Sequence, residues 1–257
     1  MRDLLEEGPS PEDAHAKAQA HARKALPKRF YKSVTVEACE NGFTVLLDGR
    51  SVRTPAKTLI EVPTKDLADA MAAEWAAQGE KIDPAKMPVT RLVNSALDGV
   101  SVQIEAVRAE IVKYAGSDLV CYRADGPDSL VEAQCAAWDP VVAFAADRLG
   151  ARFELAGGIA HVQQADEALA AVAGSVAEFD LFRLSALHVI TTLTGSALIA
   201  LALAQGVLTA EAAFNAAHVD ELWNAERWGS VPEAEAQRAT RHAEMMAAAR
   251  VILGRVP

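Results

Sequence analysis

The chain has 257 residues, with 25 Lys and Arg against 35 Asp and Glu, for a formal net charge of −10. That balance offers no cationic face to a polyanion, so nucleic acid is excluded as a partner. With 51% hydrophobic residues, 5% aromatics and 53 alanines, the composition is that of a globular, helix-rich protein rather than a disordered one.

In chain order, residues 1–28 are polar and Ala-rich, with only Leu4, Leu5 and Leu26 as apolar anchors. They are expected to form a weakly packed helical arm. Early acids and the lack of an apolar run argue against a secretory signal or a transit peptide. A bacterial-type cytoplasmic location follows as the expectation, or the mitochondrial matrix for a processed eukaryotic chain. The three cysteines, Cys39, Cys121 and Cys135, are odd in number and widely spaced. They fit small buried hydrophobes in a reducing compartment.

From Arg29 the pattern turns to strands. Phe30, Lys32, Val34 and Val36 alternate up to Asn41-Gly42. Phe43, Val45 and Leu47 follow, up to Asp48-Gly49. Asn-Gly and Asp-Gly are strong hairpin signals because both central residues must adopt positive φ. Short third and fourth strands are expected at 52–54 and 59–62, which completes an antiparallel meander. Thr64 caps a helix whose apolar stripe is Leu67, Met71 and Trp75. A second helix starts at Pro88, and Ser101 is a candidate cap for a third. Residues 119–124 alternate and are expected to rejoin the early sheet as a strand. Helices over this sheet make residues 29–125 an α+β domain.

Beyond Asp125-Gly126-Pro127 the pattern is helical, so residues 126–257 are expected to form an all-helical bundle domain. One helix starts near Asp128, with a break or kink expected at Pro140. An extended piece at 152–155 precedes further helices over 166–176, 178–205, 209–228 and 232–253. Residues 184–210 carry no Asp, Glu, Lys or Arg, a length sufficient to span a bilayer. They also hold His188, Thr191, Thr192, Thr194, Gly195, Ser196 and Gln205, several of them polar groups that are costly in lipid. A central helix buried in the bundle is the expectation, and an integral membrane protein is not.

Functional signals are sparse. No Walker loop, GxGxxG, HExxH or GxSxG elbow occurs. The 209–228 helix carries His218, Asp220, Glu221 and Trp223, with Trp228 beyond them. His218 and Glu221 are three residues apart and would share a face. Too few ligands accompany them for an ordinary metal site. Aromatics beside acids suit a protein contact. A metal-dependent hydrolase using His218, Asp220 and Glu221 is the competing reading. No catalytic residue, metal or cofactor is expected.

An ordered series of short motifs narrows this choice. Arg29-Phe30-Tyr31-Lys32, Leu47-Asp48-Gly49-Arg50, Thr54-Pro55-Ala56-Lys57, Glu74-Trp75 and Ile82-Asp83-Pro84 open it. Met87-Pro88-Val89-Thr90-Arg91-Leu92, Asp118 to Arg123, Trp138-Asp139-Pro140, Thr194-Gly195-Ser196, Asp220-Glu221 and Trp228-Gly229 follow. Together the series, over about residues 28–253, resembles the assembly chaperones for the α subunit of the F-type ATP synthase catalytic head. The resemblance implies a non-enzymatic protein with an N-terminal α+β part and a C-terminal helical part. It implies binding of the unassembled α subunit, protection of its subunit interface from aggregation, and release as the head forms. The family's important acidic position falls on Glu221, with Asp220 and Trp223 as its partner-binding neighbours. Ala76, where an acid is common, and Asn224, where Gln is common, are departures from the pattern. A monomer is expected.

Overall fold

The computed structural model describes residues 26–158 and 160–254. The expected helical arm lies outside the described residues as far as position 25. A three-stranded antiparallel sheet comes first: β1 (Val34–Cys39), β2 (Gly42–Leu47) and β3 (Arg50–Ser51), in that order. Glu40-Asn41 and Asp48-Gly49 make the two-residue turns, with Gly42 opening β2 at φ 132° and Gly49 at φ 77°. Residues 52–62 continue the meander without a regular fourth strand. Single bridges join Arg53 to Leu59 and Phe43 to Val62.

Three helices follow, α1 (Lys65–Ala76), α2 (Pro88–Asp98) and α3 (Ile104–Ala115), of which α1 packs on β1 and β2 and α2 packs on α1. The Thr64 side chain caps α1 through the Leu67 amide, as expected. The α2 N-terminus has no cap of its own. Glu74 supplies one from α1, its two carboxylate oxygens accepting from the Val89 and Thr90 amides at 2.7 and 2.8 Å. At the other end of α2, Asp98 accepts from Thr54 Oγ1, Thr58 Oγ1 and the Ala56 amide. The Thr54-Pro55-Ala56-Lys57 motif is therefore a turn clipped onto a helix end. Ser101 does not cap α3. It lies in a short 3-10 turn, and Gln103 precedes the helix.

The expected strand at 119–124 is corrected. Asp118 caps a 3-10 turn, Leu119–Cys121, and only β4 (Tyr122–Arg123) is extended. It pairs in parallel with β5 (Ala156–Gly157), away from the early sheet. Alternation failed here because Val120 and Cys121 are both buried, the signature of a turn packed on two sides.

Helix α4 (Asp128–Phe144) runs through Pro140 and ends in a π turn, Ala145–Leu149. Pro140 and Ala136, whose carbonyl the proline cannot serve, are both on the exposed side. The orphaned carbonyl can therefore turn to water and the helix continues. After α5 (Asp166–Ala177), the expected 178–205 helix is two: α6 (Leu181–Thr194) and α7 (Ala197–Ala204). Gly195, at φ 68°, ends the first, and Ser196 caps the second through the Ile199 amide. The uncharged stretch is thus bent, and Ala197 through Leu203 are fully buried. Among the described residues no helix is long and apolar enough to cross a membrane. The expected 209–228 helix is also two, α8 (Ala210–Ala217) and α9 (Val219–Trp228), parted at His218. Helix α10 (Pro232–Leu253) closes the bundle. The architecture is α+β, an N-terminal antiparallel sheet under helices followed by a helical region.

Candidate protein-contact site on helix α9

The separation of α8 from α9 decides where the acidic cluster points. His218 does not ride on the helix face with Glu221. It occupies the junction, 4% exposed, its ring stacked 4.2 Å from that of Phe214 and its Nδ1 2.8 Å from the Phe214 carbonyl. An imidazole turned into the core with a backbone carbonyl on Nδ1 is a structural group. Among the described residues no group of three His, Cys, Asp or Glu could hold a metal. His218, Asp220 and Glu221 do not converge.

Helix α9 has two faces of different chemistry. Asp220, Trp223 and Arg227 recur at spacings of three and four, so they share a face. That face is tied to α4. Gln134 Nε2 donates to Asp220 Oδ1 at 2.8 Å. Gln134 is itself buried, and its carbonyl accepts from the Ala124 amide. Trp223 Nε1 donates to Ser129 Oγ at 3.3 Å, and Arg227 Nη2 donates to the same hydroxyl at 2.8 Å. The Arg227 guanidinium also lies over the Trp223 ring, 3.9 Å from its centroid. Trp223 is consequently only 8% exposed. Asp220 is open to solvent but engaged.

The opposite face carries Glu221, whose side chain is 58% exposed. Its partner among the described residues is Arg241 of α10, at 3.4 Å with a side-chain exposure of 46%. A pair this long and this wet contributes little stability, about 0–1 kcal/mol. Glu221 and Asp220 are the acids of the first turn of α9, where the helix dipole favours negative charge. The carboxylate of Glu221 is thus held outward, charged, and weakly engaged. Such a group can select a cationic partner without first breaking a strong internal bond.

Sequence reasoning brought Asp220, Glu221 and Trp223 to one helix, and all three are there. It misplaced His218, which does not share a face with Glu221, because one helix was expected to run through it. It also missed Arg241, which is distant in sequence and carried no local signal. Trp228, a flanking aromatic and part of the Trp228-Gly229 motif in the sequence, is 71% exposed.

Comparison with known proteins bears on what this helix serves. The family model for the ATP12 chaperone protein matches residues 28–146. Protein atp12, mitochondrial, of Schizosaccharomyces pombe is 22% identical over 220 residues, spanning 80% of this chain and 75% of that one. The crystal structure of Atp12 from Paracoccus denitrificans is 43% identical, with a TM-score of 0.81 over 88% of this chain and 97% of that one. The Atu1473 protein of Agrobacterium tumefaciens is 48% identical, with a TM-score of 0.85 over 96% of this chain and 91% of that one. High identity over nearly full length, with the same fold, makes the relationship one of descent, and nothing in the geometry favours a hydrolase. The chain belongs to the ATP12 chaperone family, and it is a chaperone rather than an enzyme.

Proposed function

We propose that this assembly chaperone of the F-type ATP synthase captures the free α subunit of the catalytic head and covers the surface that the α subunit later presents to its neighbours. An unassembled subunit exposes an obligate interface, which is apolar and aggregation-prone. A chaperone that grips it through a few polar contacts can shield that surface and still yield to the true partner. The observation that carries the reading is Glu221, an outward-held carboxylate whose partner among the described residues is a solvent-exposed Arg241. A Lys or Arg of the α subunit would replace Arg241 on Glu221. Asp220 and Trp223 contribute from the opposite face by fixing α9 against α4. The protein acts as a monomer, in a bacterial cytoplasm or in the mitochondrial matrix of a eukaryotic cell.

The charge reversal Glu221→Lys tests the reading. It removes one weak exposed pair and one favourable dipole contact, so it should cost at most about 1 kcal/mol of stability. Binding of purified α subunit should weaken about tenfold, because a cation would now face a cation. Suppression of α-subunit aggregation, followed by light scattering, should fall in parallel. Wild-type suppression by the folded variant would overturn the assignment of Glu221.

A further inference from the structure

Glu221 and Trp228 are seven residues apart on α9. At 3.6 residues per turn that interval returns to within about 20° of the same direction, so both side chains leave α9 on one side, about 10 Å apart along the axis, and the Trp228 ring leans from there across the helix end toward Trp223. Trp228 is 71% exposed and Val231, just beyond the helix end, is 58% exposed. Leaving an indole in water forgoes the burial of a large apolar area. Yet this one is held in place. Its ring stands edge-on to Trp223, with centroids 5.4 Å apart and planes at 72°. Trp223 is in turn clamped by Arg227 and Ser129. An aromatic that is both exposed and pre-oriented loses little conformational freedom on binding, which is what an interface anchor requires.

The charges around it specify the border of its socket. Arg227 is engaged with Trp223 and Ser129, Arg241 with Glu221, and Arg238 with the Phe214 ring. Glu226 and Glu233 are exposed and, among the described residues, have no ion-pair partner. By the same measure Asp220 and Glu235 also lack an ion-pair partner, against Arg227 and Arg238, whose partners are neutral, so the unpaired charge of α9 and the first turns of α10 is net negative.

We propose that Trp228, rather than the buried Trp223, is the apolar anchor of the client-binding face. It inserts into an apolar socket on the free α subunit whose rim carries a Lys or Arg for Glu221. This inference rests on the α-subunit reading above. Val231 extends the apolar contact beyond the indole.

The test uses the full chain and purified α subunit. Trp228→Ala should weaken α-subunit binding by at least about tenfold, while Trp228→Phe retains most of it. Neither substitution should move Tm by more than about 2 °C, since the side chain is largely in water. Iodide quenching of the wild-type indole emission should drop when α subunit is added, and that drop should vanish in Trp228→Phe. The Glu221→Lys defect should shrink at high salt, whereas the Trp228→Ala defect persists, because only the first is screened. If Trp228→Ala binds like wild type while Glu221→Lys is impaired, the anchor assignment falls and the α-subunit reading stands. If the wild type does not bind the α subunit at all, both fall.

Discussion

Asp118 is the one buried acid of the described residues. It sits where the Leu119–Cys121 turn meets the start of α7. Its Oδ2 accepts from the Leu198 amide at 3.0 Å and its Oδ1 from the Val120 amide at 3.3 Å. It caps a helix from 80 residues away in sequence, as Glu74 caps α2 from 15 residues away. Much of the motif series that marks the family is used in this manner, as remote caps and clips that hold the scaffold. Burial still outweighs the donors around Asp118 and raises its pKa from 3.8 to about 6. Because the folded value lies above the unfolded one, the favourable contribution belongs to the protonated form. It is complete below about pH 3.8 and is lost as pH rises through about 6. The group makes the fold about 3 kcal/mol less stable at pH 7 than it would be with the carboxyl protonated. Asp118→Asn should cancel that dependence. The Tm difference between variant and wild type should shift in the variant's favour as pH rises from 4.5 to 7. A difference flat across that window would mean that Asp118 titrates normally. Burial also pushes the neighbouring Cys121 thiol up to about 12, with the Asp118 charge as the second cause. Cys121 is thus an inert core group, consistent with its reading from the sequence.

Among the elements, those with local punctuation were legible and those shaped by remote partners were not. The hairpin turns, the Thr64 cap and the start of α2 at Pro88 follow from residues adjacent to them. The breaks at Gly195 and His218 lie inside Ala- and Leu-rich runs whose periodicity continues past them. At the first the punctuation is local, the left-handed Gly195 and the Ser196 cap, and the apolar run on either side hides it; at His218 no glycine or side-chain cap marks the break. Ser196, Thr194 and Asp118 satisfy the freed backbone groups at the first break. The site suffered from the second break. Its helix was identified, but His218 was expected on it, whereas His218 sits at the junction and turns into the core. Two glycines separate conformational cost from steric cost at this scale. A Cβ at Gly195 would meet only the Leu119 Cβ at 4.0 Å, so Gly195→Ala should cost about 1 kcal/mol for the left-handed backbone alone. Gly42 also has positive φ, but a Cβ there would run into the Val62 carbonyl oxygen across the meander. Gly42→Ala must therefore displace backbone. Its Tm loss should clearly exceed the roughly 2–4 °C expected for Gly195→Ala. Equal losses would show that the Phe43–Val62 bridge yields freely.

At the scale of the molecule, the division near Asp125 and the packing follow different lines. We propose that the boundary between residues 29–125 and 126–257 is one of topology, an α+β part and a helical part, rather than of independent stability. One hydrophobic cluster runs from Tyr31 to Ile252. Helix α10, last in the chain, packs on α2 as well as on α6, α7 and α8. Helix α3 packs on α5 and α6 from the other side of the boundary. Four polar pairs cross it, Arg91 with Glu244, Arg250 with Asp66, Arg123 with Asp139 and Glu110 with His188; each has at least one side chain largely in solvent and adds about 0–1 kcal/mol. The coupling must come from apolar side chains of α10 such as Met245, Ala248 and Ile252, all nearly or fully buried. Met245→Ala should cost about 2–5 kcal/mol through lost burial and the cavity left behind. For a core shared across the boundary, that loss cannot stay in the helical part. Far-ultraviolet circular dichroism reports the helices. Near-ultraviolet dichroism also reports Tyr31 and Trp75, which pack edge-to-face beside the sheet. Both signals should unfold in one transition, and Met245→Ala should lower both midpoints together by about 5–15 °C. Two transitions, with only one of them moved by the variant, would instead make residues 29–125 a domain that stands alone. A single transition would leave α9 mounted on one continuous core, so that the face carrying Glu221 meets its client as a rigid surface.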